Sequence, residues 1–261
     1  MKILLTNDDG IRAPGIIALH KALQGLGELF VIAPKTGQSA MSHGITYTDP
    51  LMTEQIEIVK EMSGVSVDGT PADCVKLAMR SIWEEQFGQG STPDLTISGM
   101  NSGANVGINI IYSGTVAAAI ESAFLGVPAI AVSLYLSNRN NICYDRAAEI
   151  ARNTIDRILE NELSPHEVLN INIPVCESYD MPMPRIKVVE MNAAGDLGCY
   201  DKRLSPEGKT YYWSAGDGMA FSHTSKGSDV EALKNGHITI TPLDYVLTNT
   251  NRLDLWKNRC E

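Results

Sequence analysis

Basic residues, aromatics and paired sulfurs are all scarce in this sequence. Lys and Arg total 21 against 31 Asp and Glu, a net charge of −10. That balance argues against a nucleic-acid scaffold, which carries a basic stripe. A small anionic substrate is not excluded, because a metal ion and local amides can set the field of a pocket. The five cysteines (Cys74, Cys143, Cys176, Cys199, Cys260) are scattered, odd in number and without CxxC spacing. Such a pattern indicates reduced thiols rather than disulfides or a zinc site. The five histidines form no HxH or HExxH pair. No apolar run is long enough to span a membrane, and no basic-then-apolar leader precedes the first strand. A soluble, cytoplasmic protein is expected.

What the chain does have is an ordinary globular composition, 44% apolar and 20% charged over 261 residues. A chain of that length buries roughly 70–75% of its unfolded surface, so one large domain with an appendage is expected. The first ten residues set the pattern: Ile3, Leu4 and Leu5 form the apolar run of a buried parallel strand, which ends in Asn7-Asp8-Asp9-Gly10. Pro14, Ile16, Leu19, Leu23 and Leu26 follow as a helix face stopped at Gly27, and Leu29–Ala33 as a second strand. Thr70-Pro-Ala-Asp73 has the form of a helix start, Thr70 as N-cap and Asp73 facing the open amides. A strand at Asp94–Ser98 leads into Gly99–Asn105. The helix Val116–Leu125 is apolar nearly all round and so buried, with Phe124 and, in the preceding helix, Trp83 as core candidates. Further pieces are a strand at Ala129–Ser133, a helix from Asp145 to about Glu160, and a strand at Val168–Ile173.

Strands alternating with helices predict an α/β fold, a mostly parallel Rossmann-like sheet flanked by helices. From 185 to 243 the pattern changes to apparent strands (Ile186–Met191, Lys209–Trp213, His237–Thr241) between glycine-containing turns, with no long helical period. The expected division is a catalytic core over 1–184 and, over 185–261, a hairpin-rich arm with a return to the core.

Ligands of open parallel sheets sit at the carboxyl ends of the strands. Three polar clusters fall there or in the following loops: Asp8 with Asp9, the loop holding Ser39, and Asn101 to Asn105. All are oxygen donors, a set suited to magnesium or manganese and poorly matched to zinc. Asp8 and Asp9 read alone are equally a polar turn with a glycine for positive φ. Ser113-Gly114-Thr115 opens a buried helix, whose free amides and dipole favour phosphate; alone, it is N-capping. A metal beside an anion-binding helix start points to phosphate chemistry. His43 reads as a solvated loop residue, His20 as a boundary side chain and Asp73 as a cap.

In order, NDDG with APGI, the Ser39 loop, GTPADCV, SGMNSGANVG, YSGTVAAA and ITPL resemble the SurE (stationary-phase survival protein) family of 5′-nucleotidases. The likeness runs from Met1 to about Leu243 and includes Tyr211-Tyr212-Trp213 and GSDVEA around Asp229. It implies a Rossmann-like fold with a hairpin arm exchanged between subunits of a homodimer or homotetramer. It also implies hydrolysis of nucleoside 5′-monophosphates with one divalent metal ion, Mg2+ or Mn2+. The resemblance assigns the metal to Asp8, Asp9, Ser39 and Asn101, catalysis to Asp8 and Asp9, and phosphate binding to Asn105, Ser113, Gly114 and Thr115. One departure is Gly107-Ile-Asn109, where many relatives are acidic. In the arm, His223 and Asp229 are placed to reach a neighbouring subunit's site.

The main rival is a non-catalytic metal-binding module of the receiver type, which needs an acceptor aspartate at a later strand end. Here that strand end holds Gly99 and Asn101. A haloacid-dehalogenase-type phosphatase needs Asp-x-Asp, and Asp8 and Asp9 are adjacent. A nucleotide-binding protein without turnover is excluded by no residue.

Overall fold

Ile3, Leu4 and Leu5 are fully buried because both faces of their strand are covered. In the computed structural model, which describes residues 1–138, 140–195, 198–215 and 219–261, β1 (Lys2–Thr6) is followed by α1 (Pro14–Leu23) and β2 (Glu28–Pro34). β3 (Thr53–Val59) and β4 (Met62–Val67) form a hairpin. Next come α2 (Pro71–Leu77), a π-helical turn at Ala78–Ile82, and α3 (Trp83–Phe87). The centre continues with β5 (Leu95–Ser102), α4 (Gly114–Phe124), β6 (Ala129–Leu134), α5 (Tyr144–Ile158) and β7 (Val168–Ile173). The last third holds β8 (Ile186–Val188), β9 (Cys199–Leu204), β10 (Thr210–Ala215), α6 (Asp229–Lys234), β11 (Ile238–Leu243) and α7 (Thr250–Cys260).

Nine strands form one sheet in the order β3-β4-β2-β1-β5-β6-β7-β11-β8. From β4 to β7 neighbours are parallel; β3 and β11 join antiparallel, as predicted for a mostly parallel α/β sheet. β1 lies between β2 on one side and β5 on the other, so the order reverses there and a crevice opens at the carboxyl ends. Ile3 and Leu5 face α1 and α5, meeting Ile16, Leu19, Ile150 and Ile155, whereas Leu4 faces Val75, Trp83 and Ala118 on the other side. This alternation along one strand is what buries a parallel sheet twice.

Some helix ends follow local rules and others are closed from a distance. Thr70 and Asp73 form the expected capping box, with Thr70 Oγ1 accepting from Asp73 N and Asp73 Oδ2 accepting from Thr70 N. Arg152 reaches from α5 to the carbonyls of Ala22 and Gln24, at 2.9 and 3.0 Å, and satisfies the end of α1. That helix stops at Leu23, before the expected Gly27, because Gly25 takes φ +80°. Gly27 serves another purpose: a Cβ there would lie 2.4 Å from the Met1 carbonyl oxygen.

Several expectations need correcting. β5 runs beyond Ser98 to Ser102, because Gly99 at φ +146° lets the backbone follow β6 where a Cβ would strike the Val132 carbonyl. Trp83 is buried against Phe30 and Phe87, but Phe124 is 62% exposed, on the side of α4 turned away from the sheet. α6 is a short helix where only strands were expected. Among the described residues β9 and β10 pair with each other alone, and they are exposed along almost their whole length. Tyr211 and Trp213 touch each other, ring centroids 6.5 Å apart, and among the described residues neither hairpin face is covered. α7 likewise has no buried residue.

Candidate active site at the carboxyl end of β1

The strand β1 delivers Asn7, Asp8 and Asp9 to the crevice at the switch point. Gly10, at φ +100°, turns the chain there so closely against Thr36 and Gly37 that a Cβ would meet their backbone at 3.2–3.3 Å. Asn7 Nδ2 donates to the Gly10 carbonyl and closes the turn. Each of the other polar clusters is tied to this turn. Gln38 N donates to the Asp8 backbone carbonyl at 2.7 Å, which brings the loop holding Ser39 alongside. Ser102 N donates to Asp9 Oδ2 at 2.8 Å, which brings the end of β5 with Asn101. Thr115 Oγ1 donates to Asp8 Oδ1 at 2.5 Å, which brings the start of α4.

Glycines make these approaches feasible. A Cβ on Gly114 would stand 2.9 Å from Asp8 Cβ and 3.0 Å from Pro71, so only glycine lets α4 begin against the carboxylate. A Cβ on Gly15 would fall 2.0 Å from the Met100 carbonyl oxygen. The start of α1 therefore rests directly on the bend of β5 that carries Asn101.

Electrostatically the turn is uncompensated. Asp8 is 5% exposed. Burial pushes its carboxyl up from 3.8 to about 6, against the Thr115 hydrogen bonds, and the neighbouring Asp9 charge adds to the rise. Among the described residues no Lys, Arg or His forms an ion pair with either aspartate. A buried carboxylate beside a half-buried one, with no basic side chain paired to either, is costly. The segments joined to it carry a serine hydroxyl and an asparagine amide beside the carboxylates, a set of oxygens that suits a hard divalent cation.

The four segments named from the sequence thus converge, but individual residues differ in their engagement. Ser39 is exposed, and Asn101 is half-buried with its Nδ2 given to the Gly103 carbonyl, which leaves the amide oxygen as an acceptor. Ser113 is buried and caps α4 by accepting from Val116 N. Thr115 spends its hydroxyl on Asp8. Asn105 is clamped by a polar network: its backbone bonds Asn170 and Asn172, and its Nδ2 donates to Ser133 Oγ at 2.8 Å. One Nδ2 hydrogen is then left for a ligand.

Other candidates fall into place. Asp73, beside its capping role, accepts from Thr46 N and Oγ1, so it is structural. His20 is half-buried next to Gln24. Asp229 is fully buried and accepts from the amides of Gly107, Asn192 and Val230. Burial still raises its carboxyl above the ordinary value. It braces its own subunit's Gly107 loop, and is not free to reach a neighbour. His223 is exposed and contributes only its carbonyl, to Asn192 Nδ2. His43 is no free loop side chain: its Nε2 lies 2.7 Å from the nearly buried Glu121. Local sequence gave no signal for that pair, whose members are 78 positions apart.

Residues 3–195 match the family described as Survival protein SurE. The 5′-nucleotidase SurE of Rhodopirellula baltica is 42% identical over 258 residues, covering 99% of this chain and 98% of that protein. The protein of the same name from Carboxydothermus hydrogenoformans is 42% identical over 270 residues, with 100% and 98% covered. The crystal structure of the SurE protein from Aquifex aeolicus is similar over the full length of both chains, with a TM-score of 0.81 at 37% identity.

Proposed function

The chain belongs to the SurE family, and on that premise we propose that it is a 5′-nucleotidase, a divalent-metal-dependent hydrolase of nucleoside 5′-monophosphates. The observation that carries this reading is the adjacent pair of buried Asp8, bonded to the opening of α4, and half-buried Asp9, bonded to the end of β5. Asp8, Asp9, Ser39 and Asn101 would hold one ion, magnesium or manganese. When bound, the ion polarises a phosphoryl oxygen and makes nearby water more acidic.

The chain's own residues do the rest. Ser113, Gly114 and Thr115 present the positive end of α4, and Asn105 keeps one amide hydrogen, to bind the phosphoryl oxygens. Asp9 keeps the freer carboxylate, with Oδ2 on the Ser102 amide, and takes the proton of the attacking water. Asp8 is held by Thr115 and fixes the ion relative to α4. The arrangement serves in-line attack, breaking the bond between phosphorus and the nucleoside 5′ oxygen.

Phosphate release from AMP with manganese, its loss on chelation and its return on re-addition test the reading. AMP binding without release under all three conditions would instead establish a nucleotide-binding protein. Asn101→Ala is expected to be mild: about a tenfold higher manganese requirement with the maximal rate largely kept, since one neutral ligand of the set is lost. Calorimetric titration checks it, and an unchanged affinity removes Asn101 from the ligand set.

No helix among the described residues is long and apolar enough to cross a membrane, and the cytoplasm is the expected site of action. The assembly is a homodimer or a homotetramer built by exchange of the arm within residues 185–261, beyond a catalytic core over 1–184. The support is the hairpin of β9 and β10, whose Tyr200, Tyr212 and Trp213 are 72, 59 and 60% exposed. Aromatics so placed mark an interaction surface, which a second copy of the chain would cover. Replacing Cys199–Ala215 by a short Gly-Ser turn is expected to lower the oligomeric state and to reduce activity. Light scattering that shows the intact chain as a fully active monomer at micromolar concentration overturns the assembly.

A further inference from the structure

The loop after β2 carries Ser39, and its stretch from Gln38 to His43 is fastened at three points. Gln38 N bonds the Asp8 carbonyl, Ser42 N bonds the Tyr112 carbonyl at 3.1 Å, and His43 Nε2 lies 2.7 Å from Glu121 Oε2. Between the first and last of these, Ala40 and Ser42 take φ of +58° and +53°, a region non-glycine residues seldom occupy. The loop's path is therefore imposed by its fastenings and not by its own preference. Of these three, the last is the one made between two side chains; beyond His43 the loop is held again, by Thr70 Oγ1 on the Gly44 carbonyl and by Thr46 on Asp73. Glu121 belongs to α4, the helix whose first turn touches Asp8; it is 5% exposed and has Lys76 as a second, longer partner at 3.8 Å.

We propose that His43, anchored on Glu121, is a positioning residue that sets the Ser39 hydroxyl against the Asp8–Asp9 turn and thereby sets the affinity of the site for its divalent ion. The inference rests on the reading of Ser39 as a metal ligand. A buried carboxylate on the helix that contacts Asp8 is a fixed reference point. A side chain bonded to it carries that reference into the loop, as partners of ligands do in metal sites. The competing account is that His43 only offsets the charge of Glu121. In that case its loss changes stability and leaves ion binding alone.

Manganese titration by calorimetry on the full chain separates the accounts, without recourse to turnover. His43→Leu is expected to raise the dissociation constant about tenfold, and His43→Gln, which keeps a donor for Glu121, to restore it to within about twofold. Ser39→Ala is expected to weaken binding as well, and the double variant His43→Leu/Ser39→Ala to bind no more weakly than Ser39→Ala alone. Wild-type affinity in Ser39→Ala shows that Ser39 is no ligand and removes the premise. Weakened binding in Ser39→Ala with wild-type affinity in His43→Leu overturns the positioning role and leaves the ligand set standing. Full additivity of the two changes also overturns it, because His43 then acts by another route. Should His43→Leu fail to fold, titration of Glu121→Ala decides in the same way: a tenfold loss supports the role and unchanged affinity overturns it.

Discussion

Asp8→Asn and Asp9→Asn should each lower kcat/KM for AMP by about two to three orders of magnitude, the scale on which one preorganised electrostatic partner acts. The fold should survive both changes. Asp8 Oδ1 accepts from Thr115 Oγ1, and an asparagine oxygen can accept the same bond. Without metal, the Asp8 variant should be more stable than the parent. The folded Asp8 carboxyl, at about 6, lies above its ordinary 3.8, so the fold prefers the protonated form. The stability linked to that proton is complete below 3.8 and is lost as pH rises through 6. By pH 7 the chelated parent has lost about 3 kcal/mol that the variant keeps. Melting curves in chelator at pH 4 and pH 7 check this: the advantage of the variant should be present at pH 7 and small at pH 4. Manganese should raise the melting temperature of the parent and scarcely move that of either variant. Full activity with unchanged manganese affinity in both variants would remove the carboxylates from the site.

Gly15→Ala should be the most damaging change away from the carboxylates. The added methyl would sit 2.0 Å from the Met100 carbonyl oxygen, a backbone atom that no rotamer change can move. Either α1 lifts off β5 or β5 loses its bend, and both disturb core packing. A loss of about 3 kcal/mol is expected, or roughly 6–12 °C in melting temperature for a chain this long. Gly195→Ala is the control, since nothing lies within 4 Å of its added methyl. A Gly15→Ala melt within 2 °C of the control would mean that the contact is far softer than the packing indicates. If the protein folds, its manganese affinity should also fall, because Met100 precedes Asn101.

How much of this was legible in the sequence depends on the range of each interaction. The Thr70–Asp73 capping box and the turn after β1 were readable because their partners lie within three residues. The doubly covered sheet was readable too, from the unbroken apolar run of β1 and the near-absence of polar positions in α4. β9 was not: Cys199-Tyr-Asp-Lys-Arg-Leu204 has no alternation, because no core selects one of its faces. The extension of β5 through Gly99 depends on a neighbouring strand, and Gly99 by itself reads as a break. At the site, the sequence marked the four segments, but not how they are joined. Thr115 was read as facing phosphate, while its hydroxyl is bonded to Asp8. The clamp on Asn105 comes from Asn170 and Asn172, 65 and 67 positions away, and no local period records it.

The joining of those segments also bears on the order in which the protein forms. Residues 8, 38, 102 and 115 meet only after β2 and β5 have both paired with β1, and the last of these steps closes a long stretch of chain. Such non-local closures come late and are slow. An ion that needs all of them would find only the adjacent Asp8 and Asp9, and no complete site, in the early, collapsed chain. A metal bound as proposed would therefore stabilise a finished structure and would not serve as its nucleus, unlike a zinc finger, where binding and folding are one event. Refolding rates should accordingly be the same with and without manganese, and the ion should act on unfolding alone.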